Sequence, residues 1–272
     1  MANWGKAETR RLKRAARTLA VLAPAAWFAP VATGALLACG AIDVGRHRHR
    51  TAELFEKYFA GNGVFTWLLS PLNLLADLLA DRNPGRLALS DLPPAHRAEV
   101  EACLRAFVAH GEAIKRHIAA AAGESRRSML TFRWYGTPQP TGLRIPEFEG
   151  DFRFIKTIAV SAFNRRVSTS RHFGPLRLTY RVLYNLEPVD SREVRIEVDG
   201  VTHYWKDDPL FIFDDTFFHQ SLNGVDTVRH CLFMDIVRPS RAPAVFDLAV
   251  RATGRIAGAF KRVFYRNWSF IR

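Results

Sequence analysis

His172, His219 and Arg229 are the residues whose types and order in this chain point to chemistry. His172 leads into Phe173-Gly174-Pro175, a turn signal. His219 closes Phe213-Asp214-Asp215-Thr216-Phe217-Phe218-His219, just past an apolar run. The two histidines are 47 residues apart, and a strand-and-turn fold can bring such positions to one barrel mouth. Two neutral imidazoles suit ferrous iron, which commonly also takes a carboxylate in a facial triad with open positions. The residue two past His172 is Gly174, so that carboxylate is missing and water can take its place. Arg229 follows His219 by ten residues on a second apolar run. A guanidinium there can grip a carboxylate in a bidentate pair. A single histidine in a turn is usually an ordinary surface residue; the specific signal is the ordered set of two histidines and an arginine.

The elements that must position these residues read as strands. Residues 176–186 alternate apolar and mostly polar side chains, the period of a strand. The polar set, Arg177, Thr179, Arg181 and Asn185, is read first as the wet face of an antiparallel sheet, with a ligand-bearing barrel interior as the alternative. Residues 194–205 form a hairpin around Asp199-Gly200, which supplies a left-handed turn. Residues 210–213 and 228–237 are buried strands, the first ending at Asp214-Asp215 and the second at Arg238-Pro239. Short strands joined by tight turns point to an antiparallel sandwich or jelly roll. Asp214 and Asp215 are read either as orienting His219 from behind or as simply ending a strand.

The first half of the chain is organised differently. Residues 18–42 carry no charge and as a helix at ~1.5 Å per residue would reach about 37 Å, enough for a bilayer core of ~30 Å. A transmembrane helix and a re-entrant or interfacial hairpin are the leading readings, since Pro24 and Pro30 interrupt the run. A cleaved signal, suggested by the lipobox-like Leu36-Leu37-Ala38-Cys39, and a buried core helix rank below them. Lys6, Arg10, Arg11, Lys13, Arg14 and Arg17 stand ahead of the run; Arg46, Arg48 and Arg50 stand behind it. A short amphipathic helix is expected over 51–59 and an apolar piece over 64–75, in which Trp67 suits a membrane interface. Asp81 to Gly85 is a turn, 94–122 a helix and 123–127 a linker. In the tail, Phe246, Leu248, Ala249, Ile256, Phe260, Val263 and Phe264 interleave with Arg251, Arg255, Lys261, Arg262 and Arg266. That is a basic amphipathic helix, suited to a membrane surface or to packing on the sheet. The divisions expected are 1–50 a basic N-terminus and anchor, 51–125 a helical membrane-proximal region, 126–240 the β-rich domain and 241–272 the tail.

With 272 residues and 48% hydrophobic composition, the chain can form one substantial core plus an appendage. A formal charge of +13 favours anionic partners, an anionic lipid surface among them. No Cys/His finger or RNA-binding aromatic strand is present, so nucleic acid is not an expected partner. Cys39, Cys103 and Cys231 form neither a disulfide framework nor a cysteine metal site.

The residues Ser161, His172-Phe-Gly-Pro, Arg181, Phe213-Asp-Asp-Thr-Phe-Phe-His219, Arg229 and the ending at Arg238-Pro239 resemble the aspartyl/asparaginyl β-hydroxylase family of oxygenases, over about residues 150–240. The resemblance implies a mainly β fold, a double-stranded β-helix (jelly-roll, cupin-like) preceded by membrane-associated helices. It implies that His172 and His219 bind Fe(II) without a carboxylate, that Ser161, Arg181 and Arg229 hold 2-oxoglutarate, and that dioxygen is consumed. The chain departs from the family at Leu183, where a histidine normally also contacts the cosubstrate. The basic 45–50 stretch and the segment 61–73 resemble the membrane-proximal region of bacterial lipid A hydroxylases. This implies hydroxylation of a lipid acyl chain beside its carbonyl, at the inner membrane with the catalytic domain on the cytoplasmic side. The alternatives are hydroxylation of Asp or Asn side chains on protein, or a member impaired by Leu183.

Overall fold

The structure is a computed structural model; it describes residues 5–61, 65–123, 125–174, 176–264 and 268–271, with no side-chain description for residues 256–264 and a few near the N-terminus. The uncharged run does not build one helix. It forms α1 (Lys6–Phe28) and α2 (Pro30–Gly45), packed against each other. The break falls at Ala29, whose φ and ψ of −143° and 64° leave the helical region. Pro30 imposes this, because it disfavours helical geometry in the residue before it and itself starts a helix well. Among the described residues no helix is long and apolar enough to cross a membrane, so the single spanning helix gives way to a helical pair.

Thr51 caps α3 (Ala52–Glu56), its hydroxyl accepting from the Leu54 amide at 3.2 Å. A π-helical turn (Lys57–Gly61), α4 (Phe65–Leu68) and α5 (Ser70–Leu79) follow. Trp67, expected at an interface, is instead buried with Val44, Leu54 and Tyr58. After β1 (Arg86–Leu87), the helix expected over 94–122 is two: α6 (Pro94–Ala109) and α7 (Gly111–Ala122). They bend at His110, and Gly111 lies so close to Leu186 that a Cβ would meet its side chain at 3.0 Å. The bend leaves Val108 exposed while Phe107 and Ile114 stay buried.

The β-rich half is a jelly roll. Its strands are β2 (Arg127–Trp134), β3 (Thr137–Pro138), β4 (Ile155–Phe163), β5 (Val167–Ser168), β6 (Thr179–Asn185), β7 (Val194–Val198), β8 (Val201–Tyr204), β9 (Leu210–Phe213), β10 (His219–Asn223) and β11 (Arg229–Val237). A short α8 (Pro146–Glu149) precedes β4; α9 (Pro243–Phe264) and β12 (Ser269–Ile271) end the chain. The larger sheet runs β1-β9-β6-β11-β4-β2-β12, with β3 beside β2, and the smaller runs β5-β10-β7-β8. The β7–β8 turn is the expected one, with φ of 48° at Asp199 and 76° at Gly200.

Each face of the larger sheet is covered. One face carries Val160, Val182, Ile212, Leu232 and Met234 against Phe107, Ile114 and Ile118 of α6 and α7. The other carries Leu183, Phe211, Phe213 and Cys231 against Val194, Ile196 and Val198 of the smaller sheet. The polar set of 176–186 therefore does not face solvent. Arg181 and Asn185 lie on the same face as Leu183, inside the barrel, while Tyr180 and Val182 pack outward under the helices. A wet sheet face was the wrong expectation because α6 and α7 cover the opposite, apolar side and leave the polar side to the interior. Arg177, just before β6, is completely buried.

The tail helix packs through Phe246 and Val250 on Ala76 and Val237, with Leu248 outside. The side chains read as its continuing basic and apolar faces, from Ile256 to Arg266, lie outside the described residues.

Candidate active site

The antiparallel pairing of the smaller sheet extends past β5 and β10 and brings His172 directly opposite His219. Each amide donates to the other's carbonyl at 3.0 Å. Across such a bridge the side chains are neighbours, and the ring centroids are 4.2 Å apart. Both rings are oriented the same way. His172 Nδ1 lies 2.7 Å from the Ser170 carbonyl, and His219 Nδ1 lies 2.8 Å from the Phe217 carbonyl. A carbonyl only accepts, so each Nδ1 carries the proton and each Nε2 keeps its lone pair. Burial lowers the pKa of His172 to about 4 and that of His219 well below its usual value, the latter aided by His172 itself. Two neutral imidazoles with free Nε2 atoms are what a divalent metal requires of histidine.

Among the described residues no third His, Cys, Asp or Glu completes a metal-binding group. The space for one at Gly174 is already taken: a Cβ there would meet the Asp215 carboxylate at 2.3 Å. Asp215 itself is held by Arg181 at 2.9 Å. Its burial outweighs that partner and, with Asp235 and Asp214 near, pushes its pKa up to about 7. Asp214 does not touch the His219 ring. It accepts from the amide and hydroxyl of Thr216, at 2.9 and 2.6 Å, and pairs with Arg46 at 2.9 Å. Burial alone would raise its carboxyl, but Arg46 and Arg177 hold it well below the usual range.

Arg229 begins β11 and points into the barrel beneath Phe163 and Trp205, 4.5 and 5.4 Å from its guanidinium carbon. It is 2% exposed. Its Nη2 donates to Ser221 Oγ at 2.9 Å, while among the described residues Nε and Nη1 have no hydrogen-bond partner, the Cys231 thiol being a further polar neighbour. Among the described residues no carboxylate pairs with it. Ser161 lies on the adjacent strand two positions along, its hydroxyl donating to the Cys231 carbonyl at 3.1 Å. Ser161 and Arg229 are thus brought together. Arg181 lies toward the other end of the same interior, six residues along β11, about 20 Å at ~3.4 Å per residue. Its guanidinium binds Asp235 and Asp215, each at 2.9 Å, and covers the Phe233 ring. An added anion at Arg181 has to displace one of these carboxylates; at Arg229 it displaces nothing. Leu183, opposite Phe211 and Phe233, makes the wall between these ends apolar.

Sequence reasoning missed the residues that close the site from outside. The basic stretch after α2 folds onto the histidine loops. Arg46 lies 3.9 Å over Phe217, and His47 packs edge-on against Phe173 and Phe217. The signal available was the alternation Arg-His-Arg-His-Arg, too polar for a buried helix end unless partners await it. A cleft of about 280 Å³ opens beside His219, lined among others by His49, Leu54, Arg171, Glu197 and Gln220.

Residues 142–239 match the model of the family described as Aspartyl/Asparaginyl beta-hydroxylase. The ornithine lipid ester-linked acyl 2-hydroxylase of Rhizobium tropici is 31% identical over 93 residues, 34% of this chain and 33% of that protein. The chain thus matches about a third of the length of that relative. Among solved structures, a prolyl hydroxylase from Trichoplax adhaerens is similar at 17% identity, covering 36% of this chain and 47% of its own, with a TM-score of 0.27. A salicylate 1,2-dioxygenase from Pseudoaminobacter salicylatoxidans is similar at 12% identity, covering 46% and 29%, with a TM-score of 0.28. Likeness at that level says nothing further about this chain. The stretch matched by that family's model is the one that holds both histidines, Ser161, Arg181 and Arg229, the residues on which the sequence resemblance rests.

Proposed function

We propose that the protein is an Fe(II)- and 2-oxoglutarate-dependent dioxygenase that hydroxylates an acyl chain of a membrane lipid. One observation carries the reading. A buried guanidinium with two unpartnered nitrogens shares a barrel interior with two neutral, side-by-side imidazoles. An unpaired buried cation is costly, so Arg229 is built for an anion that arrives later. In this reading His172 and His219 hold iron through Nε2, and Arg229 with Ser161 holds the far carboxylate of 2-oxoglutarate. Arg181, paired with Asp215 and Asp235 toward the other end of the interior, shapes the far wall rather than gripping the same carboxylate as Arg229. Asp215 occupies the space that a ligand side chain at position 174 would need, and would border the open side of a metal held by the two histidines. Ferrous iron with 2-oxoglutarate and dioxygen supplies oxidising power that converts a C–H to C–OH, the cosubstrate leaving as succinate and carbon dioxide.

The lipid reading rests on three supports. The Rhizobium relative is named for acting on a lipid acyl chain. The sequence resembles lipid A hydroxylases around 45–73. The turn between α1 and α2 presents Trp27, Phe28 and Val31, 82%, 84% and 86% exposed, and α5 adds an exposed stripe of Leu72, Leu75 and Leu78. Lys13, Arg14 and Arg17 on α1 supply the charge that an anionic bilayer attracts. We place the chain at the inner membrane, with its catalytic domain in the cytoplasm where 2-oxoglutarate is made. The cleft itself is neither an apolar funnel nor a basic groove. Arg171 within it is matched by Glu53 and Glu197, so nothing there favours an acidic peptide.

The test is mass spectrometry of membrane lipids from cells expressing wild type or His172→Ala. A lipid heavier by one oxygen, present only with wild type, is expected. Turnover of 2-oxoglutarate by the purified protein without a shifted lipid would move the substrate to protein side chains. Absence of both would remove the oxygenase reading.

A further inference from the structure

The foot of α2 is built into the site, and its purpose is legible atom by atom. His47 is buried between the phenylalanines that neighbour the two histidines, its ring 5.6 Å from Phe173 and 5.1 Å from Phe217. Its Nδ1 lies 3.0 Å from the Val44 carbonyl and therefore carries the proton. That leaves Nε2 as an acceptor, and the Phe218 amide donates to it at 3.2 Å.

The Phe218 N–H and the Phe217 C=O belong to one planar peptide unit. The Phe217 carbonyl is the group that fixes His219 Nδ1. One rigid plane is thus held by His47 on its N–H side and in turn orients His219 on its C=O side. Polarisation adds to geometry, because an amide whose N–H is engaged has a stronger acceptor at its oxygen. Arg46, the preceding residue, secures the same loop through Asp214, Thr216 and the face of Phe217. On the far side the Phe218 carbonyl accepts from the Asp199 amide at 2.9 Å, and the Asp199 carboxylate accepts from the Arg48 amide at 3.2 Å.

We propose that His47 is a positioning residue for the metal centre, acting on His219 through the Phe217–Phe218 peptide, so that the N-terminal helical pair completes the site. The proposal rests on the metal reading of His172 and His219. It assigns the 45–50 stretch a role that neither its charge nor its place beside an apolar run suggests.

The test uses the full chain, purified free of metal, with Co(II) as the probe and its visible absorption as the readout. His47→Gln keeps bulk and an acceptor near the Phe218 amide; His47→Leu keeps bulk alone. The expected result is a Co(II) affinity about tenfold or more weaker for His47→Leu, the usual effect of removing a group behind a ligand, and within about threefold of wild type for His47→Gln. Hydrogen exchange at the Phe218 amide, measured without metal, is expected to accelerate in His47→Leu and not in His47→Gln. Equal Co(II) affinity in wild type and His47→Leu overturns the proposal alone. Equal losses in both variants also overturn it, since the acceptor is then irrelevant. Failure of wild type to take up Co(II) overturns the paired-histidine reading and the proposal together.

Discussion

Two buried arginines in this protein have opposite surroundings. Arg177 is fully enclosed and touches Asp43, Asp77 and Asp214, drawing α2, α5 and the loop after β9 together. Burial alone would lower its pKa, yet these three carboxylates raise it. Arg229 is nearly as enclosed, has a serine hydroxyl, a thiol and two aromatic faces but no paired carboxylate among the described residues, and its pKa is lowered by burial. In the proposed reading the same side chain serves folding in one place and receives a ligand in the other. What separates them is whether the chain itself supplies the counter-charge.

The largest effect expected from this contrast is at Arg177. Arg177→Met removes the one cation shared by all three carboxylates, and breaking such a buried network costs about 3–5 kcal/mol. Thermal unfolding followed by circular dichroism is expected to show a fall of about 6–20 °C, at ~2–4 °C per kcal/mol for a chain of this size. A small change would mean that Arg46 and Arg238, which reach Asp214 and Asp77, suffice alone.

Arg229→Met is expected to do the opposite to stability and more to binding. Removing an unpaired buried cation leaves the melting temperature unchanged or raises it. In wild type, 2-oxoglutarate at 100 times its Kd adds about 2.7 kcal/mol of stability; in Arg229→Met the same concentration is expected to add nothing measurable. A variant as destabilised as Arg177→Met would show that Arg229 is part of the fold and end the comparison.

A pH titration sharpens the comparison on the neutral side of the site. Burial chiefly, with Arg46 adding, lowers the His47 pKa to about 4, from about 6.5 in the unfolded chain. Between those values the unfolded state holds the proton and the folded state does not, so stability falls as pH drops from about 6.5 toward 4. The loss assignable to His47 is at most about 3 kcal/mol, at 1.36 kcal/mol per pKa unit. Urea melts of metal-free wild type and His47→Gln at pH 7 and pH 5 isolate it from the other histidines. The gap between pH values is expected to be smaller in His47→Gln, and an equal gap would mean that His47 is solvated.

Much of this architecture is legible in the sequence, for reasons specific to certain residues. Asp199-Gly200 between alternating runs can hardly be other than a tight hairpin, and the runs at 210–213 and 228–237 are strands in place. The pair His172 and His219 meets as expected because β5 and β10 are neighbours in one sheet. What the sequence hides depends on distant partners. By its strand's period alone Arg181 reads first as a surface residue, because Asp215 and Asp235 lie 34 and 54 positions away. Residues 45–50 read as a membrane flank because Asp214 and Phe218 lie some 170 positions on. Period and charge describe a residue's own segment, while burial of a charge is decided by whichever segment supplies its counter-ion.

The smallest effect expected on folding, and the one that separates surface from site, is at the α1–α2 turn. Trp27 and Phe28 contribute apolar area that no part of the described chain covers. Replacing both by Glu removes little internal contact, so the melting temperature in solution is expected to move by less than about 1 °C, within the range of ordinary surface changes. Co-sedimentation with phosphatidylglycerol vesicles is expected to fall at least tenfold, because two acidic groups now face an anionic interface and two aromatic anchors are gone. Co(II) binding is expected to be unchanged, since the tip lies at the far end of α1 and α2 from His47. Weaker metal binding in this variant would mean that the turn and the foot of the helical pair act as one body, with membrane contact felt at His219. Unchanged sedimentation would leave the exposed aromatics without a bilayer to explain them.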